Sequence, residues 1–119
     1  MMHWYIAKVV FNIVTGDGNH TPQFDEQYRL IYAASREEAF YKATSIGQNE
    51  EELMLNLNNE IVRWDFVNVS ELYPIHELQD GMELFSSIQE AENCKAYIET
   101  VHMKSVYVQS KFDKMNAAV

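Results

Sequence analysis

The stretch Trp4-Tyr5-Ile6-Ala7-Lys8-Val9-Val10-Phe11-Asn12-Ile13-Val14 decides the fold. Read with the two-residue period of a strand, it places Tyr5, Ala7, Val9, Phe11 and Ile13 on one face. Trp4, Ile6, Val10 and Val14 share the other with Lys8 and Asn12. A strand that is apolar on nearly both faces belongs at the centre of a sheet. The next strand-like run, Phe24 to Ala34, sets Phe24, Tyr28, Leu30 and Tyr32 opposite Asp25, Gln27 and Arg29. It is expected to have one wetted face and to pair with the first run as a long hairpin. Between them lies Gly16-Asp17-Gly18-Asn19-His20-Thr21-Pro22-Gln23-Phe24-Asp25-Glu26-Gln27, too long and too polar for a simple turn. Connections usually run to about four to six residues, and longer ones are disproportionately functional.

The best local signal follows in Ser35-Arg36-Glu37-Glu38, a capping box that starts a helix. Ala39, Phe40, Ala43 and Ile46 lie on one helical stripe, and Gly47 is expected to close the last turn in a left-handed conformation. Leu53, Leu55 and Leu57 alternate into a turn at Asn58-Asn59, and Ile61 to Val69 completes a second hairpin. Within that fourth strand Val62, Trp64 and Phe66 share one face, whereas Val67 and Val69 take the other; a bulge, or burial on both sides, would explain the change of phase. Asp80-Gly81 turns into a fifth strand, Met82 to Ile88. A second helix then carries Cys94, Ile98, Val101 and Ser105 on its apolar stripe, with Val106, Val108 and Phe112 extending it or forming a short strand. The order strand-strand-helix-strand-strand-strand-helix predicts an α+β fold: a mostly antiparallel five-stranded sheet with both helices packed on one face. Residues 1–119 are expected to form a single domain whose last few residues fray.

Composition narrows the function classes. The chain of 119 residues has a formal net charge of −9, and seven acids without one lysine or arginine fall between Trp64 and Cys94. Nucleic-acid affinity rests on neutralising phosphates, so no DNA or RNA partner is expected, and a basic protein surface fits better. The run Trp4 to Val14, interrupted by Lys8 and Asn12, falls well short of the roughly 20 apolar residues of a membrane helix. No membrane partner is expected. The single cysteine excludes an internal disulfide, and the first residues show no secretory pattern, so a cytoplasmic location is expected.

Several segments together carry a resemblance: the opening Trp4-Tyr5-Ile6-Ala7-Lys8-Val9-Val10-Phe11, the polar loop Gly16 to Gln27, the helix start Glu37-Glu38-Ala39-Phe40, and Val62-Arg63-Trp64-Asp65-Phe66-Val67 followed by Glu71-Leu72-Tyr73. They are similar to a family of small bacterial proteins called domain of unknown function 4288, over roughly the first two thirds of the chain. The resemblance implies a bacterial, cytoplasmic protein and brings no established activity.

The chemical motifs fail on geometry. In Gly16-Asp17-Gly18 the third glycine of a dinucleotide fingerprint is Thr21, and a strand follows instead of a helix. Asp17, Asn19, Thr21 and Gln23 mimic a calcium loop, but its sixth and twelfth positions hold Pro22 and Tyr28. His76-Glu77-Leu78-Gln79-Asp80 lacks the second histidine of a zinc-protease helix. Cys94, on a predicted apolar stripe, is expected to be an inert core residue. No catalytic residue, resident metal or cofactor is therefore expected. The candidate binding residues are Asp17, Asn19, His20, Gln23, Asp25, Glu26 and Arg63.

Two functions of different class are consistent with them. The favoured one is a non-enzymatic protein-binding or adaptor module that uses the acidic surface and the Gly16 to Gln27 loop. The alternative is a small-molecule or metal-dependent enzyme built on Asp17, His20, Asp25 and Glu26 with Arg63 as an anion anchor, which requires His20 and at least two carboxylates in one concave pocket. The surplus of aromatic residues, with Trp4 and also Trp64 or Tyr73 on the second sheet face, adds the expectation of a homodimer.

Overall fold

The computed structural model describes residues 1–112; the residues expected to fray lie outside them. The elements run β1 (His3–Thr15), β2 (Gln23–Ala33), α1 (Arg36–Asn49), β3 (Glu52–Leu55), β4 (Ile61–Ile75) and α2 (Cys94–Gln109). The chain divides into two compact units, Met1–Phe85 and Ser86–Val119.

The first unit is a four-stranded antiparallel sheet of order β2-β1-β4-β3, curled into a half-barrel. As its two-sided apolar pattern predicts, β1 is central. Both expected hairpins form. The expected fifth strand does not: residues 82–88, Met82 to Ile88, follow the Asp80-Gly81 turn without joining the sheet, so four strands replace the predicted five. Gly81, at φ +83°, supplies the left-handed residue of that turn.

Of the two explanations for the phase change in the fourth strand, the bulge is the one present. The β1–β4 register slips between Lys8 and Val9 and again between Val10 and Phe11, leaving Ser70 and Val67 without direct partners. Each extra residue resets which side chains face inward. Trp64 and Phe66 before the bulges, Val69 between them and Leu72 after them therefore reach one core. That core holds Tyr5, Ala7, Val9 and Phe11 of β1, Ile31 and Ala33 of β2, and Ala39 and Ala43 of α1.

Ser35 caps α1 as expected, its hydroxyl accepting from the Glu38 N–H at 3.1 Å, while the Glu38 carboxylate accepts from the Ala34 N–H at 3.1 Å. Gly47 plays a different part from the one predicted. The helix runs through it to Asn49, and a Cβ at this position would overlap ring carbons of Phe66 and lie 3.1 Å from Val9 Cγ1. Close approach of helix to sheet, not a left-handed turn, requires the glycine.

In the second unit, Asn93 caps α2 by accepting from the Ala96 N–H at 3.0 Å. None of the residues of α2 is buried, and Cys94 is exposed instead of packed in a core. Within the first unit α1 packs on the sheet, as expected of the first helix. No helix among the described residues is long and apolar enough to cross a membrane.

Candidate functional site

The loop between β1 and β2 is shorter than its polar composition suggests, because β2 begins at Gln23. Its shape is set locally. Gly16, at φ +58°, donates to the Ile61 carbonyl at 2.8 Å, which ties the loop to the start of β4. Gly18, at φ +84°, donates to the Thr15 carbonyl, and Asp17 Oδ1 accepts from the Asn19 N–H at 2.9 Å. Such Asx turns are a structural use of aspartate.

His20 is engaged at both ring nitrogens. Nε2 accepts from the Thr15 N–H at 2.9 Å, which requires an unprotonated Nε2; Nδ1 then carries the proton and donates to the Thr21 carbonyl at 2.8 Å. The imidazole thus staples the loop.

Four of the expected binding residues do come together. Asp17, Asn19, His20 and Gln23, with Thr15, Thr21 and Glu60, line a cleft of about 450 Å³. The remaining three go elsewhere. Asp25 lies on the helix side of the sheet, accepting from Gln27 Nε2 at 2.7 Å. Glu26 faces the opposite side, 3.2 Å from Lys8 Nζ, and Arg63 pairs with Asp65 at 3.2 Å. Strand alternation separates Asp25 from Glu26, since neighbouring side chains point to opposite faces. Among the described residues, no group of three or more His, Cys, Asp or Glu side chains is disposed to hold a metal ion.

The sequence reading missed a second concavity. Phe11, Asp25, Gln27, Glu50, Glu52 and Trp64 line a pocket of about 290 Å³, contributed by all four strands and by Glu50 at the C-terminal cap of α1. Glu50 is ion-paired with Arg29. The available signal was the run of polar residues Asp25, Gln27 and Arg29 at alternate positions of β2.

The register explains that run. Tyr5 pairs with Ile31, Ala7 with Arg29, Val9 with Gln27 and Phe11 with Asp25, so the polar residues of β2 share the helix side with the core of β1. Phe24, Tyr28, Leu30 and Tyr32 share the other side with Trp4, Ile6, Lys8 and Val10. On that outer face Leu30 is 65% exposed and Phe24 56%. Trp4 packs on Tyr32 with ring centroids 4.6 Å apart, and Phe85 stacks on Tyr28 at 4.4 Å. At its centre Lys8 bridges Glu26 and Glu71, and the Tyr73 hydroxyl donates to Glu71 at 2.8 Å. The Glu26 carboxylate holds the Lys8 ammonium above its ordinary pKa, and the bond to Glu71 raises that of Tyr73.

A small antiparallel half-barrel with one helix on its inner side is thus defined. The chain belongs to a family of this extent: the model for Domain of unknown function (DUF4288) matches residues 4–86. That span nearly coincides with the first compact unit, and α2 lies beyond it. No curated protein and no solved structure matches the chain.

Proposed function

We propose that the half-barrel unit is a non-enzymatic protein-binding module that docks partners on the outer face of β1 and β2. The observation that supports this reading is the inversion of β2 between Phe24 and Leu30, where Phe24, Tyr28 and Leu30 lie exposed while Asp25, Gln27 and Arg29 face the helix side. Exposed aromatic and aliphatic groups gathered on one face, interrupted only by paired charges, are the composition of interaction surfaces and not of a solvated one. The acidic chain, with the polar Gly16–Pro22 loop joining the same two strands, favours partners with basic rims. A bacterial, cytoplasmic setting belongs to the same proposal.

Affinity capture with the wild-type chain and a Phe24→Ser/Leu30→Ser variant tests it, each captured protein being re-examined as a purified pair by calorimetry. A partner bound by the wild type and lost from the variant supports the module. Equal binding by both sinks this face as the docking surface.

A second reading, a small-molecule or metal-dependent enzyme, is favoured by the loop cleft, whose volume falls within the range of about 300–1,000 Å³ usual for ligand sites. Metal analysis of the purified chain addresses it. Stoichiometric zinc or manganese, lost in Asp17→Asn/His20→Gln, would displace the module reading.

A further inference from the structure

Of the two strands at the edges of the sheet, β3 has four residues and β2 has eleven. Proteins blunt exposed edges with short strands, prolines, lysines or bulges. The β3 edge follows that rule. The β2 edge has fewer of these devices: no proline or lysine falls between Gln23 and Ala33, its pairing with β1 runs from Gln23 to Ala33 without a register shift, and only Asp25, Glu26 and Arg29 charge it. Such a long, regular edge is open to pairing.

The direction of its backbone groups can be read from one contact. Lys42 Nζ donates to the Tyr32 carbonyl at 2.8 Å, so that carbonyl points to the open edge and not to β1. The close Trp4–Tyr32 stacking agrees, because facing residues that do not exchange hydrogen bonds hold their side chains nearest. Backbone groups alternate along a strand, so the N–H and C=O of Phe24, Glu26, Tyr28 and Leu30 also face outward. Among the described residues nothing bonds to them. Lys42 closes the edge at Tyr32, which leaves the free stretch from Phe24 to Leu30, centred on Gln27.

The charges of β2 suit the same centre. In an antiparallel pair of two β2 strands with Gln27 facing Gln27, Phe24 faces Leu30, Glu26 faces Tyr28, and Asp25 faces Arg29. Twofold symmetry makes each of these last three pairings twice. The stretch with free backbone groups and the register that sets the β2 carboxylate Asp25 against a guanidinium therefore coincide, although they rest on unrelated observations.

We propose that β2 is where a second copy of this chain joins, the two edges pairing antiparallel about Gln27 to make one continuous sheet. The proposal rests on the protein-binding reading and names its first partner. Across the dimer, Phe24, Tyr28 and Leu30 of both copies form a single apolar strip on the outer face, and every outward backbone group between Phe24 and Leu30 finds a partner.

Sedimentation of the full chain over a dilution series, with hydrogen exchange on the same samples, tests this without a variant. A dimer whose Phe24, Glu26, Tyr28 and Leu30 amides are protected, and lose protection on dilution, is the expected result. Asp25→Arg, which sets arginine against arginine twice, should weaken the dimer about tenfold, and adding Arg29→Asp should restore it. Glu26→Pro, which removes an outward N–H that the monomer does not use, should also weaken it. A wild-type monomer at every concentration, or a dimer indifferent to Asp25→Arg and Glu26→Pro, overturns the proposal. If the wild-type chain is monomeric yet still binds a partner that Phe24→Ser/Leu30→Ser loses, only the second copy is refuted; if that binding is absent too, the protein-binding reading falls with it.

Discussion

On the helix side of the sheet, Tyr5, Ala7, Val9 and Phe11 are at most 5% exposed, whereas on the outer side Trp4, Phe24, Tyr28, Leu30 and Tyr32 are each more than 40% exposed. Both sets are apolar and both alternate along neighbouring strands. They differ in what lies over them: α1 brings Ala39, Ala43 and Gly47 down onto the first set, and no element of the half-barrel covers the second beyond the contact of Phe85 with Tyr28. Hydrophobic pattern alone therefore does not mark a core. The covering element does, and the covered face should carry the stability while the open face is free for binding.

The largest expected effect breaks the covered face. Phe11 is 1% exposed and meets Phe66 edge-on with centroids 6.0 Å apart, so Phe11→Ala should cost about 3–5 kcal/mol by loss of burial and the cavity left behind. Chemical denaturation reads it directly, and an unchanged midpoint would mean that this face is not the core.

Gly47→Ala sharpens the comparison. In an open helix the change would gain about 1 kcal/mol of propensity. Here the added methyl meets a Phe66 ring already wedged against Phe11, and overpacking costs about 1–3 kcal/mol. The steric term wins, and the variant should melt lower than wild type. A higher melting temperature would show that the helix stands farther from the sheet.

The smallest effect belongs to the open face. Leu30→Ser should change the stability of the dilute chain by no more than about 0.5 kcal/mol, because a leucine that is 65% exposed gives up little burial. A loss comparable to that of Phe11→Ala would mean that the outer face is covered in the folded chain, and would remove it as a docking surface.

Much of this architecture was legible beforehand because it rests on local rules. The two-sided apolarity of Trp4 to Val14 marked β1 as central, and the phase change after Phe66 marked the irregular stretch of β4, with a bulge as one of its two explanations. Ser35 and Glu38 marked the start of α1, and the quoted motifs identified the family over the segment that it covers. The loop cleft was legible in part: Asp17, Asn19, His20 and Gln23 stand together because they are close in sequence. Met82 to Ile88 looked like a strand, yet strand character needs a neighbour to bond with, and the sheet offers it none.

The sequence by itself determined the periods, caps and turns, each set within a few residues by side-chain direction and backbone sterics. Only the tertiary structure decided which face of β2 would meet α1. The register that the β1–β2 connection imposes makes that choice, and a shift of one residue would turn every side chain of the strand over. The same register sends Asp25 and Glu26 to opposite sides of the sheet and puts Asp25 beside Trp64 and Glu52, residues far away in the chain. Gly47 belongs with these, since its need for no side chain comes from Phe66, across the packed interface between helix and sheet.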